Sequence, residues 1–146
     1  MKIAFTGTRK GMTPAQQDSV AIAFAKLDAL VLHHGACRGA DRVAHAILVQ
    51  TFGSMSAHHM HPTNEEQHLW AFSVARQPDV IYTLETDPIK RNHLMIDLSE
   101  ALVAAPSKKQ EELRSGTWAT IRYARKLHKP IYFCWPDGTI TTENIQ

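Results

Sequence analysis

Short apolar runs and amphipathic stretches alternate along the chain from its first residues. Lys2–Thr6 is an apolar run that stops at Gly7. Thr13-Pro14-Ala15-Gln16 then predicts a helix start: Thr13 caps, Pro14 suits the first turn, and Gln16 closes a capping box. That helix places Val20, Ala23, Phe24, Leu27 and Leu30 on one face. Val31–His34 predicts a second strand, stopped by Gly35, and Gly39-Ala40-Asp41 opens a second helix with Val43, Ala44, Ile47 and Leu48 turned inward. Ser54–Met60 predicts a third strand. Thr63-Asn64-Glu65-Glu66 repeats the capping-box pattern ahead of a short helix through Leu69, Trp70 and Val74. Val80–Leu84 is either an extra strand or a packed loop. Asp87-Pro88 begins a helix with Ile89, Met95 and Leu98 toward the core. Ala101–Ala105 is a buried strand by composition, and Pro106–Ser115 is a polar loop. Thr117–His128 has Trp118, Ile121, Ala124 and Leu127 at helix spacing, and Ile131–Cys134 is the last parallel strand. The tail after Asp137-Gly138 is a candidate edge strand.

This alternation predicts a single Rossmann-like α/β domain over residues 1–146, with three layers: a mainly parallel sheet and helices on both faces. Right-handed crossovers then gather the strand-to-helix loops on one edge, outside the carboxyl ends of the strands, where such sheets bind ligands. Three glycine-bearing loops belong there. The first is Thr6-Gly7-Thr8-Arg9-Lys10-Gly11, where cations accompany a turn. The second is Gly35-Ala36-Cys37-Arg38-Gly39-Ala40-Asp41, which opens a helix whose free N–H groups suit phosphate. The third is Arg114-Ser115-Gly116-Thr117, at another helix start. None of the three matches the P-loop or the G-x-G-x-x-G pattern. The candidate ligand-binding residues are Gly7, Thr8, Arg9, Gly35, Arg38, Gly39, Asp41, Arg91, Asn92, Ser115, Gly116 and Thr117. Arginines grip phosphate bidentately, and Asp41 is placed to accept from a ribose hydroxyl.

Gly7-Thr8-Arg9, His34–Asp41 with Ala44-His45, and Arg91-Asn92 followed by Leu98-Ser99, Leu102-Val103 and Ser115-Gly116-Thr117 form three blocks in order. In these blocks the chain resembles the SLOG superfamily, the Rossmann-like group that includes the DprA (SMF) domain and the Lonely Guy proteins. The resemblance implies a nucleotide-derived ligand, bound by a binding or sensing protein. It also implies two alternatives: DprA-like binding of single-stranded DNA, and an N-glycosidase (phosphoribohydrolase) acting on nucleoside monophosphates, with Arg91 as its candidate catalytic residue. Thr120 stands where the Lonely Guy pattern has its glutamate, and a threonine supplies no negative charge. Relatives by resemblance often dimerise, so a homo-oligomer is expected.

Composition changes this picture little. A net charge of +2 permits a polyanionic partner without demanding one. Two cysteines make no disulfide framework, and no apolar run reaches the length of a signal peptide core or a membrane span, so a cytoplasmic, reduced setting without membrane contact is expected. No cofactor is implied. His58, His59 and His61 suggest a metal, but no supporting ligand set accompanies them, and no metal is expected. Cys37 reads as a small residue in a turn, Trp118 as a core residue, and Glu65, Glu66 and Glu85 as solvated carboxylates. The Lys108–Arg114 run reads as a solvated loop, with a lid over the site as the alternative.

Overall fold

A computed structural model describes residues 1–145. Seven strands form one sheet: β1 (Lys2–Gly7), β2 (Val31–His34), β3 (Ala57–Met60), β4 (Val80–Ile81), β5 (Ala101–Ala105), β6 (Ile131–Cys134) and β7 (Ile140–Glu143). Their order is β4-β3-β2-β1-β5-β6-β7, with every pair parallel except β6 and β7. Five helices accompany them: α1 (Pro14–Lys26), α2 (Ala40–Phe52), α3 (Glu65–Val74), α4 (Pro88–Asp97) and α5 (Gly116–Lys126). The alternation read from the sequence is therefore the fold.

The period-2 pattern of the strands divides the core into two layers. Ile3, Phe5, Leu32 and Val103 face α1 and α2, packing against Val20, Phe24, Ala44 and Leu48. Ala4, Leu102, Ala104 and Phe133 face α4 and α5, against Met95, Ile96, Trp118 and Ile121. A smaller cluster sets Ala71 of α3, with Trp70 beside it, against Met60 and Ala36.

Helix starts follow the expected chemistry in most places. Thr13 and Gln16 form the capping box of α1, and Gln16 does more than cap. Its Nε2 donates to the carbonyls of Pro106 and Cys134, both at 2.8 Å, so one buried amide ties α1 to the ends of β5 and β6. Replacing it with leucine strands both carbonyls without a donor. We expect Gln16→Leu to lower unfolding free energy by about 1–3 kcal/mol in a urea titration. An unchanged midpoint would show that water takes over both bonds.

Several local expectations are corrected. The third strand begins at Ala57 rather than Ser54, because Gly53–Met55 form a 3-10 turn. α3 is capped by Asn64, whose side chain accepts from the Gln67 N–H, while Glu66 turns away to arginines. Val80–Leu84 resolves into a two-residue strand. Ile89 is 61 % exposed, and Leu69, Leu98 and Leu127 also face solvent; Ile96, not Leu98, completes the core face of α4. These misassigned residues lie at helix ends or on α3, where α-helical period alone does not say which flank meets the sheet.

Candidate functional site

The carboxyl ends of β1, β2 and β5, with the first turns of α4 and α5, enclose a cup of about 470 Å³. β1 contributes Gly7, Thr8, Arg9 and Lys10. The β2–α2 segment contributes Gly35, Cys37 and Asp41. α4 contributes Arg91, Asn92 and Met95. Beyond β5 come Ser107, Glu112 and Arg114, then Ser115, Gly116 and Thr117 at the start of α5. Ten of the twelve candidate residues thus share one cavity, on the edge that the topology designates.

The other two candidates, Gly39 and Arg38, lie outside its wall. Gly39 adopts φ +87°, and a Cβ there would collide with the Arg9 backbone. The glycine is therefore a packing requirement between two loops, confirmed by the Ala40 N–H donating to the Thr8 carbonyl at 3.0 Å. Arg38 points outward and pairs with Glu66 at 2.9 Å, which Arg42 also grips at 2.7 Å.

Arg91 and Asp41 form the buried foundation of the cup. Arg91 is 3 % exposed. Its Nη1 donates to the carbonyls of Gly35 (3.1 Å) and His61 (2.8 Å), its Nε to Asn92 Oδ1 (2.7 Å), and its Nη2 approaches Cys37 Sγ at 3.7 Å. Asp41 Oδ2 accepts the N–H groups of Gly35 (3.1 Å) and Cys37 (3.2 Å). Burial pushes the Asp41 carboxyl up from its ordinary value, opposed by Arg91 and by those two N–H bonds. A Cβ on Gly35 would come within 2.6 Å of Arg91 Nη1, so the absent side chain is the space the guanidinium occupies. Most of the N–H groups of Arg91 are thus consumed by the protein itself.

The mouth differs in character. Among the described residues, the side chains of Arg9, Lys10 and Arg114 have no ion-pair partner and no hydrogen bond. At the start of α5, Ser115 Oγ accepts the Trp118 N–H at 3.3 Å, and Gly116 and Thr117, whose N–H groups open the helix, lie on the cup lining. Glu112, half-buried, is the one carboxylate besides Asp41 on the cup lining. The loop that carries it is tied down: Glu111 pairs with Arg122 at 2.9 Å and Arg125 at 3.2 Å, and Lys109 pairs with Asp137 at 3.2 Å.

Cys37 lies in the wall, but burial and neighbouring Asp41 push its thiol up to about 11, so it stays protonated and is no nucleophile at neutral pH. Trp118 lines the cup but is only 3 % exposed, packed beside Phe133 and Trp135, so it presents little ring surface for a base. Glu65, Glu66 and Glu85 are not part of the cup lining. The candidate list omitted Lys10, Ser107, Glu112 and Arg114. Lys10 and Arg114 belong to loops already singled out; Ser107 and Glu112 sit in a polar run with no signal that it folds over the site.

The histidines make the second polar feature. Neighbouring residues on a strand point to opposite faces, so β2 and β3 build a cluster on each side of the sheet. On the α2 side, His34 Nε2 and His45 Nδ1 are 2.9 Å apart, and the His58 ring lies 3.6 Å from the His45 ring, tilted to it, beside Trp70. On the other side, His33 Nδ1 and His61 Nε2 are 2.9 Å apart, with His59 and Tyr82 against them. Burial is the main cause that lowers all six pKa values. Among the described residues no group of three or more His, Cys, Asp or Glu side chains is arranged to hold a metal ion, and no helix is long and apolar enough to cross a membrane.

No family model matches this chain, and no curated protein matches it. Among solved structures it is similar to DNA processing protein A (DprA) from Streptococcus pneumoniae, with a TM-score of 0.61 and 17 % identity. The match covers 90 % of this chain and 49 % of that one, so the chain spans about half the length of its structural neighbour. At this identity the likeness is one of fold: a DprA-like Rossmann-like sheet with its loops gathered at the carboxyl edge.

Proposed function

We propose that this chain is a SLOG-type binding or sensing protein whose cup takes a phosphate-bearing nucleotide or nucleotide-derived ligand. The observation that carries this reading is the set of unpartnered cations. Arg9, Lys10 and Arg114 converge from two loops on a cavity that also receives the first N–H groups of α5. Proteins usually neutralise clustered surface charge; leaving three cations unpaired around a concave site prepares it for an anion. The volume of about 470 Å³ lies in the range of small-molecule sites. Glu112 and the buried Asp41 are the acceptors available to ligand hydroxyls.

Titration calorimetry with a panel of nucleoside monophosphates tests the reading. Each of Arg9→Ala and Arg114→Ala removes one charge-assisted contact. We expect an affinity loss of about 1.5–3 kcal/mol for each, roughly ten- to hundredfold, with no change in unfolding midpoint. Equal affinity in wild type and both variants would defeat it.

A second reading rests on the fold shared with DprA: binding of single-stranded DNA along the same cationic mouth. It predicts oligonucleotide affinity that falls steeply with salt as phosphate contacts release counterions. Trp118, on the cup lining but 3 % exposed, is a poor stacking platform, which favours the small ligand. A phosphoribohydrolase activity would need an acid in the cup, and Glu112 is the accessible one; release of free base from a monophosphate, lost in Glu112→Gln, would support it.

A further inference from the structure

The β2–α2 loop, residues 35–39, forms one wall of the cup, and its conformation is held from beneath by the histidine cluster on the α2 side. Ala36 is fully buried and takes φ +58°, a left-handed conformation that a residue with a Cβ adopts only when its surroundings impose it. Its N–H donates to His34 Nδ1 at 3.0 Å. A backbone N–H can only donate, so His34 Nδ1 carries no proton and His34 Nε2 does. His34 Nε2 in turn lies 2.9 Å from His45 Nδ1, which must therefore accept. The two rings form a directional chain, Ala36 N–H to His34 to His45, that exists in one tautomeric arrangement.

We infer that this chain is an acid-triggered latch on the cup wall. A proton added at His45 Nδ1 turns that acceptor into a donor facing the donor at His34 Nε2. The contact survives only if His34 moves its own proton to Nδ1, and that proton then faces the Ala36 N–H. Either way one bond of the chain becomes a donor–donor clash in a buried place. The strained Ala36 conformation loses its support and the loop opens, freeing both imidazoles to hold protons in water.

Every charged or titratable group facing the latch bears on its response. His58 from β3 lies against His45, its ring 3.6 Å away, and His33 and His61 lie beyond the sheet; a charge on any of them disfavours a second. Asp79, just before β4, favours a proton on His45, and Arg76 opposes it. On the loop itself, Asp41 holds the N–H groups of Gly35 and Cys37, Arg91 holds the Gly35 carbonyl, and Arg42 reaches the Ala36 carbonyl at 3.2 Å. Burial raises the Asp41 carboxyl, so the closed loop takes up that proton first and Asp41 resists opening by acid.

The test needs no ligand, so it stands apart from the proposed function. Cys37 lies in the loop and Cys134 in the core strand β6, and they are the only cysteines. Cys37 is half-buried and Cys134 buried. In labelling by a pyridyl disulfide, resolved by peptide mass spectrometry and referred to the denatured chain, the rise of Cys37 above its neutral-pH baseline reports loop opening, and exposure of Cys134 reports global unfolding. Opening that lets His45 alone, or both His45 and His34, take up a proton should grow about ten- to hundredfold per pH unit of acidification below 6.5, the ordinary imidazole value. The expected result is Cys37 labelling that rises in this way while Cys134 stays protected. In His34→Asn, Oδ1 still accepts from Ala36 but takes no proton, and the Cys37 rise should vanish until Cys134 is also exposed. His45→Gln, which removes the outer ring, should abolish it too. Simultaneous exposure of both cysteines in the wild type would overturn the latch. So would an unaltered Cys37 rise in both variants, which would place the trigger outside the His34–His45 pair.

Discussion

Taking the protein from pH 7 to pH 5 is expected to remove most of its stability. Four buried imidazoles have folded-state values far below the ordinary 6.5: His33 and His58 at about 4, His45 and His61 at about 3. Below pH 6.5 the unfolded chain therefore binds protons that the folded protein refuses, and stability falls as pH falls. The loss continues until the folded values are reached, near pH 4 to 3. At pH 5 each imidazole contributes about 2 kcal/mol of this loss. Four together compare with the 5–15 kcal/mol by which domains of this size are stable. Asp41 works in the opposite sense, since its raised value lets the folded state take up a proton first, but it is one group against four. Urea midpoints at pH 7, 6 and 5 measure the effect. A midpoint that holds steady over that range would mean that these imidazoles are solvated. His58 has both ring nitrogens buried and unpartnered; a titration value near 6.5 for its ring by NMR would be equally damaging.

Arg91→Met is the second large effect. Methionine fills much of the space of the side chain but removes the donors to the Gly35 and His61 carbonyls and the charge opposite Asp41. Each buried polar group left uncompensated costs about 1–3 kcal/mol, and here two carbonyls lose their donor while the buried Asp41 carboxylate loses the positive charge that favours it. The double variant Arg91→Met/Asp41→Asn should recover part of that loss, since no uncompensated carboxylate remains. If Arg91→Met unfolds at the same urea concentration as the wild type, Arg91 is not the foundation its contacts describe. Its role would then lie with the ligand alone.

Both effects come from features the sequence discloses only in part. The order of elements was legible because hydrophobic period, caps and glycine stops agree along most of the chain. Thr13-Pro14-Ala15-Gln16 and Ala101–Ala105 are the plainest instances. The cup was legible for the same reason: loops that follow parallel strands must share an edge. What periodicity does not reveal is which atoms are already engaged. Arg38 and Arg91 look alike as candidate phosphate ligands, yet one is drawn outward by Glu66 and the other is enclosed by carbonyls. Glu112 reaches the cup because Glu111, its neighbour, anchors the loop to α5, a tertiary pairing without local signature. The histidines were visible as a run at 58–61. Their partners His33, His34 and His45 come from other elements, and only the β2–β3 register makes two clusters of them.

The borders of the sheet carry a consequence for behaviour in concentrated solution. On one side the sheet stops at β4, which has two residues and so exposes too few unpaired amides to template another chain. On the other it stops at β7, antiparallel to its neighbour, with Thr141 and Thr142 exposed and Glu143 held by Arg125. Polar, brief or charged borders discourage ribbon-like growth from one molecule to the next. Self-association, where it occurs, is then directed to helical faces, and fibrous aggregation should require prior loss of the native sheet.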